Sequence, residues 1–368
     1  MISAVGVSVL FRPLTIKSLT LPNRIVMAPM TRSKSPGGIP GENVAAYYRR
    51  RAEGGVGLIV TEGTYINHPG AGFYQDVPHF HGEEALAGWR RVVESVHAAG
   101  GKIFPQLWHC GLSAPAGVKL GPGAIGPSGL TKPGEQVTAP MTQRQIDEVI
   151  RAYGDAAASA QRLGFDGLEI HGAHGYLIDQ FFWQGTNQRT DAYGGDLVAR
   201  TRFAAEVIRE IRSRVRPEFP VGLRFSQWKS QDYDAKLART PEELERFLAP
   251  LTTAGIDLFH CSQRRFWDPE FEGSQLNLAG WTKKLSGKPS ITVGSITLDQ
   301  EFTRSFRSTD AASATGIDEL IERLERDEFD LAAVGRSLIV NPTWPAVIRR
   351  GAIEELKPFQ RDVLAELV

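Results

Sequence analysis

Residues 166–182 read DGLEIHGAHGYLIDQFF. The first part, 166–170, has the length and apolar content of a short buried strand. His171, His174 and Tyr176 follow within six residues, in a loop with Gly172 and Gly175. A strand needs none of these rings to fold, and the glycines let the backbone turn tightly while the rings project to one side. The stretch is a strand whose C-terminal end carries polar donors, and it is a candidate active site.

Outward from this strand the same pattern repeats. Residues 24–27, 57–65, 102–108, 166–170, 221–225, 257–261, 290–293 and 331–334 read as strands. Helical periodicity falls between them at 43–53, 83–98, 142–163 (with Thr142 as a cap), 197–215, 241–254, 277–285 and 317–326. Eight βα units in a row, with no compositional break long enough to be a linker, predict an α/β protein. The expected architecture is a single (β/α)8 TIM barrel spanning 1–368 as one domain, with excursions after strand three (111–140) and strand six (263–275).

A barrel of this kind places its chemistry at the C-terminal ends of its strands. Strand one ends in Pro29, Met30 and Thr31; strand two in Thr61, Glu62 and Gly63; strand three in Gln106, Trp108 and His109. Strand five carries Arg224 inside the apolar run VGLRFS, and an arginine facing a barrel interior needs an anion or an acceptor. Strands seven and eight end in Gly294-Ser295 and Gly335-Arg336, where barrels commonly hold a phosphate. Two readings stand here: a phosphate site, or turn glycines with Arg336 in a surface ion pair.

Composition narrows the partner. Lys+Arg and Asp+Glu number 42 each, so no global charge points to nucleic acid. A small molecule fits better. Hydrophobic residues make up 42% and charged residues 23%, an ordinary globular composition. Cys110 and Cys261 stand alone and read as small buried residues, in keeping with a reducing compartment. The apolar run at the N-terminus is too short to span a bilayer and no basic residue precedes it, so a soluble, cytoplasmic protein is expected. No GxGxxG or Walker loop is present, which argues against a Rossmann or P-loop nucleotide site.

The pair His171-x-x-His174 also admits a metal reading, but Gly172 and Ala173 lie between them and neither a third ligand nor an HExxH helix is evident. Donation of hydrogen bonds to a carbonyl or nitro oxygen fits the same spacing, with Tyr176 as a nearby proton donor. Tyr65 and Trp108 at strand ends, and Phe266 and Trp267 after strand six, are candidate walls of a ligand pocket. Glu62 and Glu169 read as structural partners of buried donors.

Taken together, the motifs NRIVMAPMTR (from Asn23), IVTEGTYI (from Ile59), PQLWHCG (from Pro105), GFDGLEIHGAHGYLIDQF (from Gly164), TNQRTDAYGG (from Thr186), VGLRFS (from Val221) and AVGRSLIVNP (from Ala333) carry a resemblance. In this order, from about Leu10 to about Pro345, the chain resembles the old yellow enzyme family, the FMN-dependent ene-reductases. The resemblance implies bound FMN and NADPH or NADH as cosubstrate, with an activated alkene of an enone or nitro compound as substrate. It implies that Pro29, Met30 and Thr31 lie along the flavin, that Gly63 and Gln106 meet its pyrimidine side, and that Arg224 faces N1 and O2. Gly294, Ser295, Gly335 and Arg336 would hold the phosphate. His171 and His174 would bind the substrate oxygen and Tyr176 would be the acid.

Departures mark where this chain differs. Leu112 stands where the family often has Arg, and the segment 196–199 is changed. Nothing after Trp344 matches the C-terminal tyrosine that many relatives bring to the pocket, so the loop 263–275, with Phe266, Trp267 and Phe271, is a candidate lid. A flavin barrel acting oxidatively on an amine or saturated ketone is the alternative, and a metal-dependent barrel lyase a more distant one. Expected partners are small molecules only, with no nucleic acid and no membrane, in a monomer or homodimer.

Overall fold

The computed structural model describes residues 6–114, 117–301 and 311–368. Its elements begin with two short strands, β1 (Leu14–Ile16) and β2 (Leu19–Leu21), paired antiparallel. Eight further strands close into a barrel: β3 (Ile25–Met27), β4 (Leu58–Tyr65), β5 (Ile103–Trp108), β8 (Leu168–His174), β9 (Val221–Lys229), β10 (Leu258–Ser262), β11 (Ser290–Val293) and β12 (Leu331–Val334). Each pairs in parallel with its neighbours, and β12 returns to β3 through Ala332↔Ile25 and Val334↔Met27. The remaining strands, β6 (Leu130–Lys132) and β7 (Glu135–Gln136), form a hairpin inside the excursion after β5. The expected (β/α)8 barrel is the fold observed.

Helices lie outside because their apolar residues recur at helical spacing and need a sheet to cover them. In α3 (Gln143–Leu163; α1, Glu42–Glu53, and α2, Glu83–Ala98, precede it) the buried side chains include Ile146, Val149, Tyr153, Ala156 and Ala160. Its start is set by Thr142, whose hydroxyl accepts from Gln145 N while the Gln145 side chain accepts from Thr142 N, a capping box. Its end is set by Gly164, in the left-handed region at φ 88. Inside the barrel's N-terminal end, Ile16, Leu19 and Leu21 of the first hairpin pack with Leu58, Phe104, Leu258 and Leu331. That hairpin is the plug of the barrel floor, so only the C-terminal mouth is left for chemistry.

Two strand ends change, and two short elements appear that the sequence reading does not assign. The fourth strand does not end at Ile170 but runs to His174, and the fifth runs to Lys229 rather than Phe225, because their ladders continue through His171↔Arg224, Gly172↔Phe225 and His174↔Lys229. Strand propensity is low for Gly and His; cross-strand pairing overrides it. The apolar N-terminal run forms a 3-10 turn, Gly6–Phe11, that buries Val7, Val9 and Leu10. A short helix, α4 (Leu177–Phe182), follows β8, in a stretch to which the sequence reading assigns no element. The helices α5 (Arg202–Arg214), α6 (Pro241–Ala254) and α7 (Leu278–Ser286), and a helix at Asp318–Glu325, complete the outer layer. Among the described residues no helix is long and apolar enough to cross a membrane.

Candidate active site

At the C-terminal mouth of the barrel lies a cavity of about 350 Å³. The residues expected along a flavin, Pro29, Met30, Thr31, Gly63, Gln106, Arg224, Gly294, Ser295, Gly335 and Arg336, all line it, as do His171, His174 and Tyr176. Of the expected pocket walls, Trp108 lines it too; Tyr65, Phe266 and Trp267 do not. Tyr65 sits behind Trp108, with ring centroids 5.3 Å apart, and its hydroxyl accepts from Tyr74 N. Phe266 is pulled away because its carbonyl accepts from Asn277, the N-cap of α7, and Trp267 packs edge-on against it. Phe271 likewise meets Trp281 of α7. The loop after β10 is therefore packed on the outer layer, and of its residues only Gln263 and Arg264 reach the cavity.

One wall is aromatic. The His171 ring stacks on Trp108, Tyr176 meets both edge-on at 4.9 and 4.8 Å, and His174 lies 5.3 Å from His171. Backbone contacts hold this turn. His174 takes φ 65, its N–H donates to Ser226 Oγ at 2.9 Å, and its carbonyl accepts from Ser230 N. Under the turn, Gly175 N donates to Asp179 Oδ2 at 2.7 Å, and Asp179 Oδ1 is paired at 2.6 Å with Lys229, both side chains fully buried. Burial holds both histidines well below their usual pKa, with Arg224 adding to the effect, so each ring is neutral. On His171, Nδ1 accepts from Ala173 N, which leaves Nε2 as the ring's donor. Burial, helped by Tyr74 and Cys110, pushes the Tyr176 phenol well up, so it stays protonated.

Beside this wall the lining is polar. Gln106 Nε2 donates to Glu169 Oε1 at 2.7 Å, and Glu169 Oε2 lies 2.7 Å from His260 Nδ1. Although burial works against it, His260, Arg224 and Gln106 hold the Glu169 carboxyl below its usual range. Fixing the amide nitrogen in this way leaves the Gln106 carbonyl oxygen to accept from a ring N–H in the cavity. Arg224 is buried, and its Nε has no partner among the described residues. A buried guanidinium N–H without a partner is the position at which an acceptor-bearing ligand is required. Gly63 is equally constrained: a Cβ there would stand 2.5 Å from the Trp108 ring. At the far end Arg336 is buried, not on the surface, and donates to the carbonyls of Gln300 (2.5 Å) and Glu301 (3.2 Å) beside Ser295 Oγ. A flat heterocycle with acceptors at one end and an anionic tail at the other fits these residues, as FMN does.

Glu62 is the partner of buried donors that its position suggested. Its Oε2 accepts from the backbone N–H groups of Arg32 and Ser33 at 2.8 and 3.0 Å, just beyond Thr31, and burial pushes its carboxyl up to about 7. A carboxyl raised in the folded state stabilises the fold below its unfolded pKa, and that contribution is lost as pH rises through the folded value. Glu62→Gln removes the titration. The unfolding free energy of the wild type minus that of Glu62→Gln is expected to fall by on the order of 1–3 kcal/mol between about pH 4.5 and pH 8. Urea titrations of both proteins across that range check it; a flat difference would overturn it.

Several lining residues were not legible beforehand. Trp228 stacks on His174 at 4.5 Å, Tyr233 stacks on Trp228 at 5.3 Å, and Arg264 lies over Tyr233 at 4.8 Å. Arg224, Ser226 and Trp228 alternate along β9, so period two would have found Trp228 had the strand been extended. Ser262 lines the cavity from the end of β10, and Leu364 reaches it from the C-terminal segment. That segment is carried there by arginines: Arg32 donates to Glu366 O and Arg50 to Leu367 O, both at 2.6 Å, and Arg51 to Val368 O. Among the described residues no group of three His, Cys, Asp or Glu side chains could hold a metal ion.

A model of the NADH:flavin oxidoreductase / NADH oxidase family matches residues 9–355. The NADH oxidase of Thermoanaerobacter brockii is 34% identical over 363 residues, 95% of this chain; the chain spans about half of that protein, 52% of its length. The 12-oxophytodienoate reductase 7 of Oryza sativa subsp. japonica is 34% identical over 355 residues, 90% of this chain and 86% of the relative. Among solved structures, morphinone reductase in complex with tetrahydroNAD superposes with a TM-score of 0.78 at 30% identity, covering 96% of this chain and 93% of that one. The old yellow enzyme homologue from Zymomonas mobilis gives 0.79 at 26% identity, covering 96% of each. The cavity and these likenesses agree: the chain belongs to the NADH:flavin oxidoreductase / NADH oxidase family, the old yellow enzymes, and is an FMN-dependent NAD(P)H oxidoreductase.

Proposed function

We propose that this enzyme reduces the activated C=C bond of an α,β-unsaturated carbonyl or nitro compound. The observation that carries the reading is the convergence of two neutral histidines and a protonated, buried tyrosine on the cavity that Arg224 and Gln106 also line. FMN, which Met30, Gln106, Arg224 and Arg336 would help to hold, would supply the redox chemistry, hydride transfer between NAD(P)H and substrate. The residues of the chain do the rest. His171 donates from Nε2, and His174 donates beside it, to the carbonyl or nitro oxygen, where negative charge grows as the β-carbon is reduced. Donors fixed in a dry site are worth more to that developing charge than to the ground state. Tyr176, kept protonated by burial, delivers the proton to the α-carbon. Trp108 and Trp228 flank the two rings and hold their planes.

The reductases among the relatives support the reductive direction. An anaerobic comparison tests it. Holoenzyme reduced with NADH or NADPH is mixed with a panel of enones and nitroalkenes, and oxidised holoenzyme with secondary amines and saturated ketones. Rapid flavin reoxidation by the first set, without reduction by the second, is expected. Reduction of the flavin by an amine or saturated ketone at comparable rates would overturn the proposal in favour of an oxidative enzyme.

A further inference from the structure

We infer that Ser262 sets the tautomer of His174, and so decides which edge of that ring faces the substrate oxygen. The inference rests on the reading of His171 and His174 as an oxygen clamp, and assigns to it a positioning residue on a different strand. Ser262 is the last residue of β10 and is buried. Its Oγ lies 2.7 Å from His174 Nε2 and 3.3 Å from Arg224 Nη2. A guanidinium only donates, so the hydroxyl oxygen accepts from Arg224. One hydroxyl hydrogen remains, and among the described residues His174 Nε2 is the only other partner of that Oγ. The oxygen has a second lone pair, but using it for an Nε2–H would leave the hydroxyl hydrogen without a partner among the described residues; the hydrogen is assigned to Nε2 and the ring proton to Nδ1.

The same residue also limits where the ring can go. The Ser262 carbonyl accepts from Trp228 Nε1 at 3.2 Å, and the Trp228 indole stacks on the His174 imidazole at 4.5 Å. Ser262 thus holds the edge of the ring through its hydroxyl and its face through the tryptophan. The backbone of His174 is fixed independently by Ser226 and Ser230, so rotation about the side chain is the freedom left for Ser262 to remove. The charged and titratable groups around the ring, Arg224, His171, Lys229 and His260, all disfavour a second proton, which keeps the choice between two neutral tautomers. Orientation of a neutral imidazole by the hydrogen bond on its far nitrogen is the device by which histidine ligands are commonly aimed.

The test uses FMN-loaded enzyme with 15N-labelled histidine. Two-bond 1H–15N correlation spectra report the protonated nitrogen of each ring, and a His174→Asn sample identifies the His174 signals. The wild type is expected to show Nδ1–H at His174. In Ser262→Ala this pattern should become mixed or reverse, and Ser262→Thr, which restores the hydroxyl, should recover it. In parallel, a phenol titrated against the flavin spectrum should bind up to about tenfold more weakly to Ser262→Ala than to wild type, and Ser262→Thr should return most of that loss. Nε2–H at His174 in the wild type, or an unchanged tautomer in Ser262→Ala, overturns the inference. Failure of phenol to bind the wild type at all would count against the oxygen clamp instead, and the tautomer spectra would still decide the role of Ser262.

Discussion

In Tyr176→Phe, reoxidation of the reduced enzyme by an enone is expected to slow by about 10²–10⁴-fold, the usual contribution of a positioned general acid. Reduction by NAD(P)H should stay near the wild-type rate. The split follows from what the substitution removes. Phe keeps the ring, and with it the edge-on contacts to Trp108 and His171 at 4.8 and 4.9 Å, so the wall of the cavity keeps its shape. Only the hydroxyl is lost. Hydride delivery to the flavin needs no proton from this group, whereas completion of alkene reduction does. Stopped-flow measurement of each half-reaction checks the split. An equal loss in both would mean that Tyr176 shapes the cavity rather than protonates the substrate.

The second large effect concerns stability. Lys229→Met leaves Asp179 buried without its cation, and breaking a buried pair in this way typically costs about 3–5 kcal/mol. Both side chains of the pair are fully buried, and Lys229 also donates to Ser226 O at 3.1 Å. Burial pushes the Asp179 carboxyl up and the Lys229 ammonium down, while their mutual attraction opposes both shifts. Removing both charges should restore part of the loss, since an apolar pair of similar volume avoids the desolvation of two ions. It should not restore all of it, because Asp179 also accepts from Gly175 N in the turn that carries His174 and Tyr176. Equilibrium urea unfolding of Lys229→Met and Lys229→Met/Asp179→Leu gives both numbers. A single variant as stable as wild type would show that the pair contributes nothing.

The elements read correctly from sequence are those that declare themselves locally. Helix Pro241–Ala254 is bounded by Thr240, whose hydroxyl accepts from Glu243 N, and by Gly255 at φ 120. Strands Ser290–Val293 and Leu331–Val334 are short apolar runs between turn residues. What escaped depends on partners far away in the chain. The second half of β8 is a strand only because β9 pairs with it, and no propensity of His171, Gly172 or His174 says so. The hairpin β1–β2 has three residues in each strand, too few for periodicity to register. In the site, strand ends and family motifs picked out Gln106, His171, His174, Tyr176, Arg224 and Arg336, which the fold brings to one cavity, but not Trp228, Ser262 or Arg264, which line it too. The aromatics after β10 were not so readable: whether a loop ring faces a cavity or a helix is decided by distant groups, here Asn277 and Trp281. Leu364 is the converse case, an ordinary leucine brought to the cavity with a segment whose backbone carbonyls are held by Arg32, Arg50 and Arg51.

The turn at His174 carries one more consequence. A β-carbon in the left-handed region, here at φ 65, costs on the order of 1 kcal/mol, a cost that glycine largely escapes. Selection for heat resistance alone would therefore tend to replace this histidine with glycine, and the cavity would lose the ring that its neighbours aim. The strain is kept because β9 and β10 hold the imidazole where the chain by itself would not place it. On the proposed reading of His174 as a donor to the substrate oxygen, thermal hardiness and that grip thus pull position 174 in opposite directions.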